Sequence, residues 1–408
     1  MTVTVEVRTA LAGLSYVVEA GYPPLHAAVD QHGAVAVWTA LRAGAPGVGL
    51  GRHLTAAAAA RAAGYDPADD LRRAAACGAR LVAPGDHEWP TDRLSWASEP
   101  LLEPPPLSLW VRGAHRLDEA VERSVAVVGA RAATRYGAQI ATDWAAGLAE
   151  RGWCVISGGA YGIDVAAHRG ALLGAAGEAE GVPGAAWRGP VDPPARAATV
   201  AVLACGVDVA YPRGNDRVLA QVAGAGLIVS ELSPGAHPTR QRFIVRNRLI
   251  AGLSTGTLVV EAALRSGSLA TVERARRMNR HVMAVPGPVD AAMSAGCHVQ
   301  LRLGVVCVTS VGEVLEQVGA VGADLSAEPR GPDTTRDELS VTVRRVLDAV
   351  PVRRGAGVAA LAKDAGVSVL VVQQVLPPLL TQGLVERTDE GWRLTSLGSG
   401  RPAPRRRG

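Results

Sequence analysis

Short apolar runs alternate with longer helical segments between residues 73 and 321. Continuous apolar runs separated by helices are typical of a parallel sheet that is covered by helices on both faces. We therefore predict an α/β fold with a doubly wound parallel sheet. The predicted strands lie in ARLVAP, PLSLWVRG, VAVVG, CVISGG, TVAVLAC, GLIVSE, GTLVVEA, HVMAVPG and VVCVTS.

The patterns that flank this region are different. Residues 1–72 are rich in Ala and show helical periodicity, which Pro and Gly interrupt, so they predict a small helical N-terminal domain. Residues 338–396 contain three helical segments, then two short strands around a Glu-Gly turn. That order predicts a C-terminal winged helix.

Three segments have the composition of irregular chain. Residues 174–198 are rich in Gly, Pro and Ala and predict a surface insert in the α/β region. Residues 322–337 predict a linker before the last domain, and the basic tail at 397–408 is expected to be disordered. The α/β domain is therefore expected to span residues 73–321.

The composition indicates which ligands and which cellular compartment to expect. The net charge of +4 is carried by arginine, since Lys363 is the only lysine, and arginine binds phosphate and carboxylate through two parallel hydrogen bonds. The five cysteines are scattered without a CxxC pair, which argues against a zinc site or a disulfide framework. The chain has neither a signal-peptide pattern nor a long apolar run, so we expect a cytoplasmic protein without membrane contact.

Several predicted strands end in residues that suit an anion. In open parallel sheets, ligands bind at the carboxyl ends of strands, where helix N-termini offer N–H groups. The residues at these ends include Gly129 with Arg131, Gly158 in SGGAYGID, and Ser266–Ser268 after Glu261. A single glycine after a strand is more often a matter of turn geometry than of ligand binding, so each of these signals is weak when taken alone. Asp164 and His168 are spaced for a hydrogen bond rather than for a metal site.

The stretch RFIVRNRLIAGLS at residues 242–254 adds arginines to an otherwise apolar segment. One interpretation is a track of guanidinium groups facing phosphates. The alternative is a solvated face on which Arg246 and Arg248 form ordinary ion pairs. Phe243, the only Phe in the chain, is open to two interpretations, as a core residue or as a platform on which a base stacks.

The motifs taken in order resemble a known family. VAVVGARAATRYG, VISGGAYGIDVAAHRGAL, VAVLACGVDVAYPRGN, IVSELSPG, RFIVRNRLIAGLS, VVEAALRSGSLAT and AVPGPVDAAMSAG are similar to the bacterial DNA-processing protein A family, also called Smf. The resemblance covers about residues 73–320. It implies an extended Rossmann-type domain that binds single-stranded DNA, forms a homodimer and helps to load the RecA recombinase during natural transformation. It implies neither an enzyme nor a cofactor.

The resemblance also implies site residues. Arg131 matches the family's Gly-Ser-Arg motif, with Ala130 in place of Ser, and Arg213 matches the basic residue after Tyr-Pro. Further positions depart from the pattern: Ile244 replaces a Pro, and Tyr161 stands where small or basic residues are common. The run SAGCHVQL, with Cys297 and His298, replaces a Ser-Gly-Thr-Asn-like run. The predicted DNA-binding residues are Gly129, Arg131, Gly158, Arg213, Phe243, Arg246, Asn247, Arg248, Ser266, Gly267 and Ser268. Phe243 or Tyr161 is expected to stack on bases.

Two other functions remain as alternatives. Nucleotide phosphoribohydrolases of a related fold carry a Pro-Gly-Gly-x-Gly-Thr loop and a catalytic Glu, which EAALRSGSLAT does not reproduce. Glu261, the acid in this stretch, is expected to hydrogen-bond to the Ser266–Ser268 loop instead. A duplex-binding winged helix would use residues 367–380, but this segment has no Lys or Arg, so we expect a structural or protein-contact role.

Overall fold

The computed structural model describes residues 3–96, 103–176, 196–320 and 339–398. The described residues form two compact units, one ending at residue 320 and one starting at residue 339. Most of the predicted insert, the predicted linker at 322–337 and residues 399–408 of the predicted tail lie outside the described residues.

The first unit is built on a mostly parallel sheet. Its strands are β1 (Ala79–Val82), β2 (Leu109–Arg112), β3 (Ser124–Val128), β4 (Cys154–Ser157), β5 (Thr199–Val202), β6 (Leu227–Ser230), β7 (Gly256–Val259), β8 (His281–Ala284) and β9 (Val306–Cys307). Within the described residues their order is β1-β2-β6-β5-β4-β3-β7-β8-β9. Strands β3 to β9 pair in parallel, and β1 and β2 extend one edge in antiparallel orientation. The predicted α/β fold is confirmed.

The central strands are apolar because both of their faces are covered. All residues of β3 are buried, and Val125 lies opposite Val155 on β4 and Gly256 on β7. A strand that is buried on both faces needs a continuous apolar run instead of alternation. The seven runs from VAVVG to VVCVTS therefore each contain one strand of the parallel sheet.

Helices cover both faces of this sheet. They are α6 (Leu117–Glu122), α7 (Arg135–Glu150), α8 (Ile163–Ala175), α9 (Asp216–Ala225), α10 (Arg240–Leu253), α11 (Ser268–Arg277), α12 (Ala295–Arg302) and α13 (Val311–Val318). Helices α7, α8 and α13 share one core with the sheet, to which Leu148 and Ala167 belong. Helices α6, α10 and α11 share another, which contains Leu249 and Val272. A 3-10 helix, Arg213–Asn215, precedes α9.

The N-terminal segment is helical. It contains α1 (Val5–Val17), α2 (Pro23–His32), α3 (Ala34–Ala43), α4 (Arg52–Ala62) and α5 (Pro67–Ala76). These helices share a core with the sheet, in which Leu14 and Trp38 belong to the same cluster as Trp110 and Ile228. Helix α5 also crosses the boundary that we predict at residue 72. That boundary stays a prediction.

The second unit has its own core, which includes Leu347, Leu361, Leu376 and Leu384. It contains α14 (Val341–Ala349), α15 (Val358–Ala365), α16 (Val369–Thr381) and an antiparallel pair, β10 (Val385–Thr388) and β11 (Gly391–Leu394). Its identification as a winged helix stays a prediction. Among the described residues no single helix has the length and apolar character to cross a membrane, and only α15 and α16, bent by 104°, meet that criterion as a pair.

Candidate nucleic-acid interface

A cavity of about 800 Å³ opens at the carboxyl ends of the parallel strands. Strands β4, β5 and β6 lie on one side of β3, and β7, β8 and β9 lie on the other. The loops after β3 and β7 therefore diverge, which is the place where open α/β sheets bind ligands. Residues of α10 from Arg240 to Ile250 and the first turn of α11 also line the cavity.

The structure brings most of the predicted site residues to this cavity. Those that line it are Gly129, Arg131, Phe243, Arg246, Asn247, Ser266, Gly267 and Ser268. Gly158, Arg213 and Arg248 do not line it, for a different reason in each case. Gly158 packs beside the side chains of the cavity, Arg213 is exposed on a neighbouring loop, and Arg248 is buried in an ion pair.

Phe243 holds guanidinium groups in place. The Arg131 guanidinium carbon lies 4.8 Å from the centre of the Phe243 ring, and that of Arg246 lies 5.6 Å from it. Both distances are within the range of cation–π attraction. The Tyr211 ring is 5.7 Å away, centre to centre. Phe243 is only half-buried, so it is neither a plain core residue nor an aromatic ring free of neighbours.

Arg246 supplies a fixed positive charge in the cavity. It is 6% exposed, donates a hydrogen bond of 2.8 Å to the carbonyl oxygen of Gly158 and donates another to that of Val202. Burial lowers the pKa of Arg246 to about 10, so its side chain is still cationic at neutral pH. Among the described residues its Nε atom has no hydrogen-bond partner.

Gly158 is required for this arrangement. A Cβ atom on Gly158 would lie 2.6 Å from Asp164 Oδ2 and 2.8 Å from Arg246 Nη2, closer than real Cβ contacts allow. Asp164 is buried and accepts a hydrogen bond of 3.3 Å from the Ala160 amide. Burial raises the pKa of Asp164, and the nearby Arg246 charge opposes that rise. The absence of a side chain at Gly158 lets this carboxylate and this guanidinium lie close together.

The expected pairing of Asp164 with His168 is wrong. His168 Nδ1 lies 2.8 Å from Thr199 Oγ1, within hydrogen-bond distance, and the ring is fully buried. Burial lowers the pKa of His168 to about 3. His168 is therefore a residue of the buried core and does not line the cavity.

The Ser266–Ser268 loop, between β7 and α11, forms another wall of the cavity. Ser266 and Ser268 hydroxyl oxygens lie 2.8 Å apart, and Asn247 Nδ2 donates to the Gly267 carbonyl at 3.3 Å. Helix α11 begins at Ser268, so its N-terminus lies at this wall. The partial positive charge of a helix N-terminus favours an anion there.

Glu261 supports the loop between β3 and α7, so our expectation that it hydrogen-bonds to the Ser266–Ser268 loop is wrong. Its carboxylate accepts hydrogen bonds from the hydroxyl and the amide of Thr134, at 2.5 and 2.9 Å, instead of from the Ser266–Ser268 loop. The Ala130 amide donates to the Glu261 carbonyl at 2.8 Å. These bonds fix the loop from which Arg131 projects.

The prediction that Arg248 faces phosphates needs correction. Its side chain is fully buried, ion-paired with Glu231 at 2.7 Å and hydrogen-bonded to the Pro104 carbonyl at 2.8 Å. The physical reason is helical phase, because two residues turn a helix by about 200° and so place Arg246 and Arg248 on opposite sides of α10. Arg242 is likewise paired, with Glu19 at 2.8 Å. The alternative of ion pairs on a solvated face therefore holds for Arg248 only in its ion pair, since this side chain is buried, and Arg246 forms no ion pair among the described residues.

The structure adds cations that our sequence reasoning missed. Arg240 and Arg265 are exposed and line the cavity, and neither forms an ion pair with any residue in the described ranges. Each was identifiable by position, since Arg240 precedes Phe243 by one helical turn and Arg265 directly precedes Ser266. Together with Arg131 they surround the opening with positive charge.

The comparison with known protein families agrees with this geometry. A model of the DNA recombination-mediator protein A family matches residues 80–319, which include all the elements that line the cavity. The chain belongs to the DNA-processing protein A family. The predicted family resemblance is thereby confirmed.

Individual relatives cover different shares of the chain. A putative DNA processing protein DprA from Mycobacterium tuberculosis is 42% identical over 405 residues, which are 97% of this chain and 96% of the relative. The DNA processing protein DprA from Streptococcus pneumoniae is 38% identical over 52% of this chain and 67% of its own length. The crystal structure of the Streptococcus pneumoniae protein superimposes with a TM-score of 0.58 at 26% identity, covering 78% of this chain and all of the other. The DNA-processing fold therefore extends over most of the first unit.

Proposed function

We propose that the protein binds single-stranded DNA in the cavity at the carboxyl ends of the strands. The observation that carries this proposal is a cavity of about 800 Å³ with exposed arginines at its opening and the buried Arg246 inside. Membership of the DNA-processing protein A family supports a polynucleotide as the ligand. The protected strand would then be delivered to the RecA recombinase in transformation or recombination, by a cytoplasmic homodimer.

Single strands suit this site better than duplex DNA. Arginines neutralise the phosphates of a flexible backbone that can follow a curved cavity, and unpaired bases can stack on aromatic or guanidinium planes. Asn247 and the Ser266–Ser268 loop add hydrogen-bond donors. The proposed phosphate contacts are Arg131, Arg240, Arg246 and Arg265.

The second unit is proposed as a structural or protein-contact module. Its helix α16 has no Lys or Arg, although Gln373 and Gln374 are exposed on it. A major-groove reader needs basic residues to neutralise duplex phosphates.

Binding without catalysis is the proposal for the same cavity. A hydrolase needs a carboxylate that activates water or stabilises a ribosyl cation. Glu261 is held by Thr134, and Asp164 is buried beside Gly158 and Arg246. Incubation with AMP should therefore release no free base, and release that depends on Glu261 or Asp164 would favour the phosphoribohydrolase alternative.

The decisive experiment is a titration of the purified full chain with labelled oligonucleotides. We expect tighter binding to a single strand than to a blunt duplex of the same length, and little binding of a mononucleotide. Arg131→Ala should weaken single-strand binding for all sequences alike, because phosphate contacts carry no base information. Arg52→Ala, an exposed arginine on the N-terminal helix α4, is the matched control. Equal affinity for the duplex would overturn the proposal.

A further inference from the structure

Helix α16 of the second unit presents an uncharged side to solvent. None of its 13 residues is charged. The residues that face the core of the unit are Val372, Leu376 and Leu379. On the opposite side Leu370 is 64% exposed, and the exposed Gln374 and Pro377 follow it on successive helical turns. A surface helix usually carries charged residues on its solvent side, so this side of α16 has the composition of a contact surface.

Two prolines leave hydrogen-bond acceptors available on this side. Pro377 and Pro378 lie inside α16, and proline has no amide N–H to donate to the carbonyl four residues earlier. The carbonyl groups of Gln373 and Gln374 therefore lack the donor that the rest of the helix has. Both glutamines are exposed, so each presents a carbonyl acceptor together with a side-chain amide that donates.

A second copy of the same helix matches these groups. In an antiparallel pair related by a twofold axis, the side chain of Gln373 in each copy can donate to the Gln374 carbonyl of the other, and symmetry supplies the reverse bond. Because no residue of α16 is charged, the pair brings no like charges together. Leu370 then lies toward the other end of the copy's helix, where Leu380 is also exposed.

The size of this surface determines when the pair forms. A helix of 13 residues is about 20 Å long and about 10 Å wide, so one side of α16 offers roughly 200 Å². A stable interface between free proteins buries about 800 Å² on each partner. The pair is therefore weak between free chains. It forms where two chains are already held together, since attachment raises the effective concentration of one helix near the other.

We propose that α16 pairs with α16 of a second copy of the chain, so that the second units of a homodimer meet through their uncharged helices. The pairing rests on the homodimer of the proposed function, because the helix surface alone is too small to hold two free chains together. It gives the second unit a specific partner, and it is separate from the single-strand site of the first unit.

Disulfide cross-linking of the full chain tests this pairing. The variant Gln374→Cys carries a thiol near the middle of α16, and Thr342→Cys, at an exposed residue of α14, is the matched control. Every variant also carries Cys307→Ser, because Cys307 is an exposed native cysteine. Mild oxidation should link two Gln374→Cys chains, since a disulfide forms where the Cα atoms lie within about 7 Å. Thr342→Cys should give no more linked dimer than the Cys307→Ser chain alone.

A change at Leu370 provides a second, independent test. Leu370→Glu, added to the Gln374→Cys chain, should lower the yield of linked dimer by about tenfold or more, because the pair would bury an unpaired carboxylate. Leu370→Met should leave the yield unchanged, since it keeps an apolar side chain. Both variants should keep the single-strand affinity of the parent and its sedimentation as a dimer, because the helix pair adds to the homodimer and does not hold it together.

Sedimentation of the parent chain distinguishes the helix pair from the proposed homodimer. If the chain sediments as a dimer but Gln374→Cys links no better than Thr342→Cys, or links equally well with Leu370→Glu, the helix pair is refuted and the homodimer stands. If the chain sediments as a monomer, both are refuted. A dimer that links through Gln374→Cys and loses the link with Leu370→Glu supports the pair. Urea denaturation of each variant shows whether it folds as the parent does.

Discussion

Arg248→Ala should destabilise the protein without removing a DNA contact. The Arg248 guanidinium is fully buried and pairs with Glu231, which is itself only 10% exposed in its side chain. The substitution leaves the Glu231 carboxylate buried without its cation. The Pro104 carbonyl also loses its hydrogen bond from Arg248 Nε.

The magnitude follows from the burial of the pair. Removing one partner of a buried ion pair costs about 3–5 kcal/mol, because the remaining charge is uncompensated. Replacing both partners by apolar residues of similar volume is often neutral. We therefore expect Arg248→Ala to lose stability by that amount, and the double variant Arg248→Met, Glu231→Leu to regain most of it.

Two measurements on each variant test this reasoning. Urea denaturation monitored by tryptophan fluorescence gives the free energy of unfolding of the first unit. A salt series of single-strand titrations gives the electrostatic slope, which should be unchanged in Arg248→Ala under conditions where the variant is folded. Arg131→Ala is the comparison, since it removes an exposed guanidinium and should lower the slope by roughly 0.7 with little loss of stability.

One pattern of results would refute the assignment. If Arg248→Ala had the stability of the parent and a slope lowered as much as that of Arg131→Ala, then Arg248 would face phosphate in solution. The side of α10 that carries Arg248 would then belong to the DNA site.

Three further predictions test other parts of the structure. Gly158→Ala should reduce single-strand affinity at least tenfold in titrations, because its Cβ would displace the adjacent guanidinium and carboxylate, whereas Gly224→Ala, with open space around its Cβ, should bind normally. The folded-state pKa of His168 is lowered to about 3, below its ordinary 6.5. Neutral His168 therefore makes its full contribution to the free energy of unfolding above about pH 6.5. That contribution is lost as pH falls toward 3, by up to a few kcal/mol, at about 1.4 kcal/mol per unit of pKa difference. Denaturation at several pH values should show a shallower loss for His168→Gln than for the parent and no such change for the exposed His53→Gln. Deletion of residues 338–408 should change single-strand affinity by less than about tenfold, roughly 1.4 kcal/mol, and a larger loss in filter binding would place DNA on the second unit.

Local sequence was enough to predict the strands of the sheet and the ends at which the cavity lies. A strand in the middle of a parallel sheet must be apolar at consecutive positions, so SVAVV of β3 could be recognised from its residues alone. The residues at strand ends, among them Arg131 and Ser266–Ser268, line the cavity as expected. The carboxyl ends of parallel strands lie at one edge of the sheet, so the edge follows from the sequence, whereas the neighbouring positions of the β3 and β7 loops follow from the strand order.

The direction of each arginine on α10 depended on tertiary structure. That helix is buried at consecutive positions from Leu249 to Leu253 as well as at Val245, Arg246 and Arg248, so no amphipathic period reveals which side faces the cavity. The sequence did not indicate the hydrogen-bond partner of Glu261 either, because Thr134 lies 127 residues away in the chain. Periodicity reports the environment of a segment, whereas the partner of a buried charge is set by the elements that the fold packs against it. The sequence by itself therefore determined at which edge of the sheet the cavity lies. Only the tertiary structure decided that it lies between the β3 and β7 loops, that Arg246 faces it and that Arg248 pairs with Glu231.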